Sequence, residues 1–317
     1  MQQTENGSQR PFSAIRIFLT GFAMGAADLI PGVSGGTMAF ILGVYEQLLN
    51  AIKSFNVKLI QLLFKGRWQE ALDAVPIRFL IPLCLGLAVA IFSMARLMRY
   101  LLEYQTVYLF SFFFGLILAS IIAVGATVRW NLQSAITLLV GTVVAYLIIG
   151  LVPMDMPNDP LTIFLSSMVA ITAMILPGIS GSFILLILGQ YAYVLNAVAE
   201  FNLIAIMPVI FGAIVGLLGF ARILSWLLKH YHDATVALLV GFMAGSLRKI
   251  WPWKEVTEWM TNRHGEEVPM RESNILPNFA GVEFWFALTI AVMAFVLLSV
   301  MDQLQTKKNP ILSRFLR

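Results

Sequence analysis

The chain has 317 residues, of which 59% are hydrophobic and only 12% charged, and its mean hydropathy is +0.83. A soluble domain is about a quarter charged, so this composition excludes a soluble globular protein and predicts a polytopic membrane protein. The formal net charge of +4 is not a nucleic-acid signal; it reads as basic cytoplasmic loops.

The first ten residues are polar, and no cleavable signal pattern follows them. The apolar stretch after Arg16 leads into ADLIPGVSGGTMAFILGVYEQLLNAIKSFN, residues 27–56. An amphipathic connector follows, VKLIQLLFKGRWQEALDAVP, residues 57–76. Three apolar runs come next, at 79–98, 106–128 and 132–152. Each is long enough to span, since a crossing needs about 20 residues. Cys84, the single cysteine, cannot form an internal disulfide, has no metal-ligand neighbours and reads as a small core residue. The loop VPMDMPNDP (152–160) has two acids, three prolines and no Lys or Arg. Then comes a near-copy of the first signature, AMILPGISGSFILLILGQYAYVLNAVAEFN, residues 173–202, identical to it at 14 of 30 positions. Three further runs lie at 204–228, 233–247 and 281–301. Residues 248–278 read as a large loop whose WPW (251–253) suits an interfacial aromatic anchor. His230, His232 and His264 fall in polar or interfacial stretches.

The signatures do not fit a simple span. As one helix, residues 161–199 would be about 58 Å long, nearly twice a ~30 Å hydrocarbon core. Pro177-Gly178 divides the stretch into arms of about 16 residues, each slightly too short to cross. Each signature therefore reads as a re-entrant hairpin with its tip at Pro31-Gly32 or Pro177-Gly178. Beyond the signatures the halves align at an offset of 126: Pro82 with Pro208, Gly86 with Gly212, Arg96 with Arg222, Gly115 with Gly241. The expected fold is an all-α polytopic membrane protein, a single membrane domain over 1–317. It contains two inverted repeats (13–152 and 161–302), each a re-entrant helical hairpin plus three transmembrane helices. An odd number of crossings per half inverts the second half. With the N-terminus inside, the inverted arrangement puts 14 of the 21 basic residues on the cytoplasmic side, as positive-inside bias requires. A parallel arrangement puts 10 there. Both termini and the 53–78 connector are thus expected in the cytoplasm, with Arg10, Arg16, Lys53, Lys58, Lys65, Arg67 and Arg78 in the first half and Lys307, Lys308, Arg314 and Arg317 at the end of the chain. The loops 152–160 and 248–278 are expected outside.

Inverted repeats with interrupted helices are a transporter signature. Ser34 and Ser180 are well-typed N-caps. Gly35, Gly36 and Gly181 would let a ligand approach the backbone, and Thr37 and Ser182 add hydroxyls. Two such helix starts make a natural anion site, although glycine and serine also serve close helix packing. Asp28 and Glu46, acids within an apolar hairpin, are candidates for coupling-ion binding. Arg96 and Arg222 occupy equivalent places and suit phosphate, unless they snorkel to the headgroups. G-x-S-G also occurs in intramembrane serine proteases, but that chemistry needs a histidine base, and no histidine lies in the middle of a run. No nucleotide-binding G-x-x-x-x-G-K-[ST] is present, and no cofactor is expected.

DLIPGVSGGTMAFILGVYE and LPGISGSFILLILGQY resemble the paired signatures of the bacterial polyprenyl-phosphate transporter family, and the resemblance covers about 13–302. It implies a transporter, not an enzyme, that returns the carrier undecaprenyl phosphate from the outer to the inner leaflet of the cytoplasmic membrane, where the carrier is reused in peptidoglycan and other envelope polymers. It also implies that Ser34, Gly35, Gly36, Thr37, Ser180, Gly181 and Ser182 face the phosphate. The expected partners are that lipid, the membrane and a coupling cation, with a proton as first choice and sodium as second. The alternative is a transporter of another anionic solute.

Overall fold

The computed structural model describes residues 13–30, 33–151, 154, 156–261 and 267–306. Pro31 and Gly32, the expected first hairpin tip, lie outside the described residues, as do Arg10, His264 and the C-terminal Lys307, Lys308, Arg314 and Arg317. The first half comprises α1 (Ala14–Asp28), α2 (Gly35–Ile41), α3 (Tyr45–Ser54), α4 (Val57–Phe64), α5 (Trp68–Ala74), α6 (Ile77–Tyr104), α7 (Thr106–Gly125) and α8 (Leu132–Ile149). The second comprises α9 (Pro160–Ile175), α10 (Gly181–Ile187), α11 (Tyr191–Ala199), α12 (Leu203–His230), α13 (His232–Ser246), β1 (Lys254–Thr261), β2 (Glu267–Asn274) and α14 (Val282–Thr306).

The element order repeats. The starts of α9, α10 and α11 each lie 146 residues after those of α1, α2 and α3, and α12 and α13 begin 126 residues after α6 and α7. Within each half the packing also repeats, α1 along α6 and α9 along α12. The other long contacts cross between halves: α13 lies along α8, and α14 along α7. Small residues permit these approaches. A Cβ at Gly86 would overlap the Phe18 carbonyl, and one at the equivalent Gly212 would overlap that of Phe164. Between the halves, Gly115 presses on Ala291 and Gly241 on Leu138.

Among the described residues, five helices (α6, α7, α8, α12 and α14) are long and apolar enough to cross a membrane. Their outward faces carry large apolar side chains, such as Phe92 at 87% exposure and Ile204 at 88%. Lipid is the solvent these faces fit. Polar side chains turned inward bond their own helix: Ser111 Oγ donates to the Val107 carbonyl at 2.7 Å and Ser120 Oγ to that of Leu116 at 2.6 Å.

Three details depart from the sequence reading. The run at 233–247 forms α13, only 15 residues long, about 22 Å and shorter than a full crossing. Ten of its 15 residues are buried, and it packs against α8 and α7. The segment 248–278 is not simply a loop: β1 and β2 pair antiparallel, with Lys254 opposite Asn274. Cys84 is exposed, not a core residue. On a membrane helix an outward thiol meets hydrocarbon as it would in a core, so its apolar setting in sequence does not distinguish the two.

Candidate functional site

Each signature breaks twice. The first break separates α1 from α2 and α9 from α10. The second separates α2 from α3 and α10 from α11, and α10 and α11 are bent by 117°. Gly43 (φ +74°) and Gly189 (φ +71°) sit at these second breaks in the left-handed region, where a side chain is disfavoured. Both were among the identical positions of the repeat, but their role is legible only once the backbone turns there. The return arm before the bend is seven residues, about 10 Å.

The first breaks of the two halves meet. Gly178 donates its N–H to Thr37 Oγ1 at 2.8 Å, and Tyr45 donates its hydroxyl to the Ile175 carbonyl at 2.9 Å. A Cβ on Gly36 would overlap the Met174 and Ile175 carbonyls, so the start of α2 is pressed against the last turn of α9. Ser34 and Thr37 are fully buried here.

The two helix starts are held differently. Ser34 Oγ accepts from Thr37 N–H at 3.2 Å, as an N-cap does, and Asp28 Oδ1 accepts from Gly35 N–H at 2.6 Å. A carboxylate thus stands at the start of α2. In the second half Met174 replaces that acid. Ser180 makes no side-chain cap there; its Oγ lies 2.8 Å from Ser182 Oγ. Gly181 packs closely on the Ala170 carbonyl of α9.

The remaining candidates lie apart from this junction. Arg96 is exposed on α6. Arg222, exposed on α12, donates to the carbonyls of Leu218 at 2.8 Å and Phe55 at 3.4 Å. Glu46, in the first turn of α3, has a side chain 65% exposed and lies 3.7 Å from His232 Nε2. Nothing in the sequence singles out that histidine.

A second polar feature escaped the sequence reading. A cavity of about 850 Å³ opens among the C-terminal ends of α8 and α13, α10 and the β1–β2 hairpin. Among the described residues, Arg248, Lys249, Lys254 and Glu272 are the charged ones that line it. Three of these stand close together in LRKIWPWK (247–254). That cluster was the available signal, but it reads equally as an ordinary loop until Glu272 and α10 are placed beside it. Among the described residues, no group of three or more His, Cys, Asp or Glu could hold a metal ion.

A family model described as undecaprenyl phosphate translocase-like matches residues 24–268, which include both broken signatures. The chain belongs to this family. It is 43% identical over 261 residues to a Vibrio cholerae protein named polyprenyl-phosphate transporter, an alignment covering 82% of this chain and 85% of that relative. A Staphylococcus aureus protein of the same name is 34% identical over 254 residues, covering 74% of this chain and 85% of the relative. No solved structure matches the chain. The family match agrees with the resemblance carried by the paired signatures.

Proposed function

We propose that this protein is a polyprenyl-phosphate flippase, not an enzyme. In this reading it returns undecaprenyl phosphate from the outer to the inner leaflet of the bacterial cytoplasmic membrane for reuse in peptidoglycan and other envelope polymers. The observation that carries the reading is the junction of the two broken signatures, joined by Thr37 and Gly178, in a chain whose relatives are named for polyprenyl-phosphate transport. Such a lipid has one anionic head and a long apolar tail. Its carrier must shelter the head at membrane depth and leave the tail in lipid.

The two halves are proposed to be inverted, each with a re-entrant hairpin and with both termini cytoplasmic. The exchange of partners between α7, α8 and their counterparts α13, α14 supports a two-fold relation. A seven-residue return arm that turns through 117° supports a dip and return. Ser34, Gly35, Gly36 and Thr37, with Ser180, Gly181 and Ser182, are proposed to form the central phosphate station. Arg96 and Arg222 would serve the external and cytoplasmic approaches.

Moving an anionic head inward opposes an inside-negative potential by about 2.3 kcal/mol per charge per 100 mV. A co-transported proton offsets this, and Asp28 is its proposed carrier, with Glu46 second. The carboxylate of Asp28 holds the Gly35 N–H, a donor the phosphate would need. Two anions disfavour sharing one small site. Phosphate arrival therefore favours protonation of Asp28, and phosphate departure favours proton release. The test is flipping of labelled undecaprenyl phosphate in proteoliposomes under an imposed pH gradient, with neutral undecaprenol as control. Gradient-driven movement of the phosphate but not the alcohol is expected. Movement of neither lipid above protein-free vesicles would refute the reading.

A further inference from the structure

The cavity at the end of α8 and α13 carries an unbalanced charge. Lys249 Nζ lies 3.6 Å and Lys254 Nζ 3.3 Å from one oxygen, Glu272 Oε2. Arg248 adds a third cation; it donates to the Tyr146 carbonyl at 3.1 Å and lies over the Tyr146 ring at 4.3 Å. Among the described residues, three cations against one carboxylate leave a net charge of +2 on the lining. The lysines are not spread into solvent: their side chains are 25% (Lys249) and 12% (Lys254) exposed. Lys254 Nζ lies 4.5 Å from the centre of the Phe110 ring, and Lys249 Nζ 5.2 Å from that of Phe183. Partly desolvated cations with too few anions are costly, and a bound anion removes that cost.

The rest of the lining is apolar and aromatic, including Phe114, Ile149, Phe183, Leu186 and Trp251. The volume lies within the range of small-molecule sites and exceeds what a phosphate group alone would fill. The cavity also borders the second broken signature. Phe183 and Leu186 belong to α10, and a Cβ at Gly178 would overlap Ser246 Oγ, two residues before Arg248.

We propose that this cavity is a docking site for a phosphate monoester carrying an apolar chain, in which Arg248, Lys249 and Lys254 take the phosphate and the aromatic wall takes the first part of the chain. A phosphate monoester bears about −1.5 to −2 at neutral pH, which matches the excess of two positive charges. The inference deepens the flippase reading and rests on it: with 248–278 external, this is the station at which the outer-leaflet headgroup is captured before it reaches the junction of the two breaks. The site is one-sided. The α13–α14 connection carries the β-hairpin, whereas the equivalent α7–α8 connection, Ala126–Asn131, is too short to carry one.

Its pH response follows from Lys254. Burial pushes this ammonium down to about 8, Lys249 adds to the shift and Glu272 opposes it. The charged groups facing it among the described residues are Lys249 and Arg248 beyond α13 and Glu272 on β2, while α7 presents the uncharged ring of Phe110. The protonated amine binds the anion, so affinity is retained below that pKa and falls as pH rises through about 8.

Equilibrium binding of radiolabelled undecaprenyl phosphate to the full-length protein in nanodiscs tests this. The double substitution Lys249→Gln, Lys254→Gln should weaken binding roughly ten-fold or more. Glu272→Gln should strengthen it, the opposite of what loss of a merely structural ion pair would do. Lys254→Arg should keep the affinity and abolish its decline above pH 8. Parent-like binding by the double variant, with thermal unfolding confirming its fold, would overturn the cavity assignment while leaving the flippase reading intact. Weaker binding by Glu272→Gln would overturn it too. Competition by inorganic phosphate as effective as that of the unlabelled lipid would assign the cavity to the free anion and overturn the lipid assignment. A parent protein that does not bind the lipid would sink both proposals.

Discussion

Ser34 and Ser180 hold equivalent places in the repeat, yet only Ser34 accepts the bond of an N-cap. Ser34→Ala should therefore lower stability by about 1 kcal/mol, the usual value of such a cap. Ser180→Ala loses no cap, only the contact with the Ser182 hydroxyl, and should lower the thermal unfolding midpoint in detergent less than Ser34→Ala does. Equal midpoints for the two variants would show that the Ser34 cap contributes nothing. Any loss of lipid binding in Ser180→Ala then reports on the ligand, because no cap is lost. Asp28 differs from both serines, since its carboxylate occupies a backbone donor at the start of α2. Asp28→Asn keeps the shape and an oxygen acceptor but cannot carry a proton. Flipping by this variant should lose its response to a pH gradient while lipid binding persists. A full pH response in Asp28→Asn would remove Asp28 from the coupling mechanism.

At the scale of elements, glycine sets how closely the helices pack. Gly86 lets α6 lie against α1, and a Cβ there would run into the Phe18 backbone. Backbone cannot move aside as a flexible side chain can. Gly86→Ala should cost about 1–3 kcal/mol, the range for overpacking. Gly219, in α12, has open space where its Cβ would be. Gly219→Ala should be neutral or stabilise by up to about 1 kcal/mol, through helix propensity alone. Thermal unfolding of the two variants side by side distinguishes contact from propensity; equal midpoints would refute the packing argument. The connector, read from sequence only as amphipathic, forms α4 and α5. They bury Leu59, Leu62 and Ala71 together and leave Phe64 at 88% and Trp68 at 64% exposure. Such a face fits the membrane interface.

For the whole molecule, the proposed inverted arrangement makes a sidedness prediction. In a Cys84→Ala background, single cysteines at 154–158 and at 275–278 should react from outside with an impermeant thiol reagent. Cysteines in the 57–76 connector should react only after the membrane is opened. Labelling of that connector from outside would exclude the inverted arrangement. The exposure of Cys84 is the reason it must be removed first.

Membrane character, the doubled signature and its offsets of 146 and 126 were legible along the chain, whereas the second break of each signature, at Gly43 and Gly189, was not. The legible properties are written in hydropathy over windows of about 20 residues and in residues that interrupt a helix locally. The sequence by itself also marked Asp28, Ser34 and Thr37 as residues of interest. Which distant groups meet is visible only in the folded chain: Thr37 with Gly178, Tyr45 with Ile175, and Lys249 and Lys254 with Glu272. Sequence periodicity reports which face of an element is apolar, not which distant element covers it. The charged cavity shows this most plainly. LRKIWPWK reads as an ordinary basic loop until the hairpin register sets Lys254 opposite Asn274 and so carries Glu272, two residues earlier on β2, to the lysines. Pairing across that distance depends on how the backbones fit in space, and no local pattern encodes it.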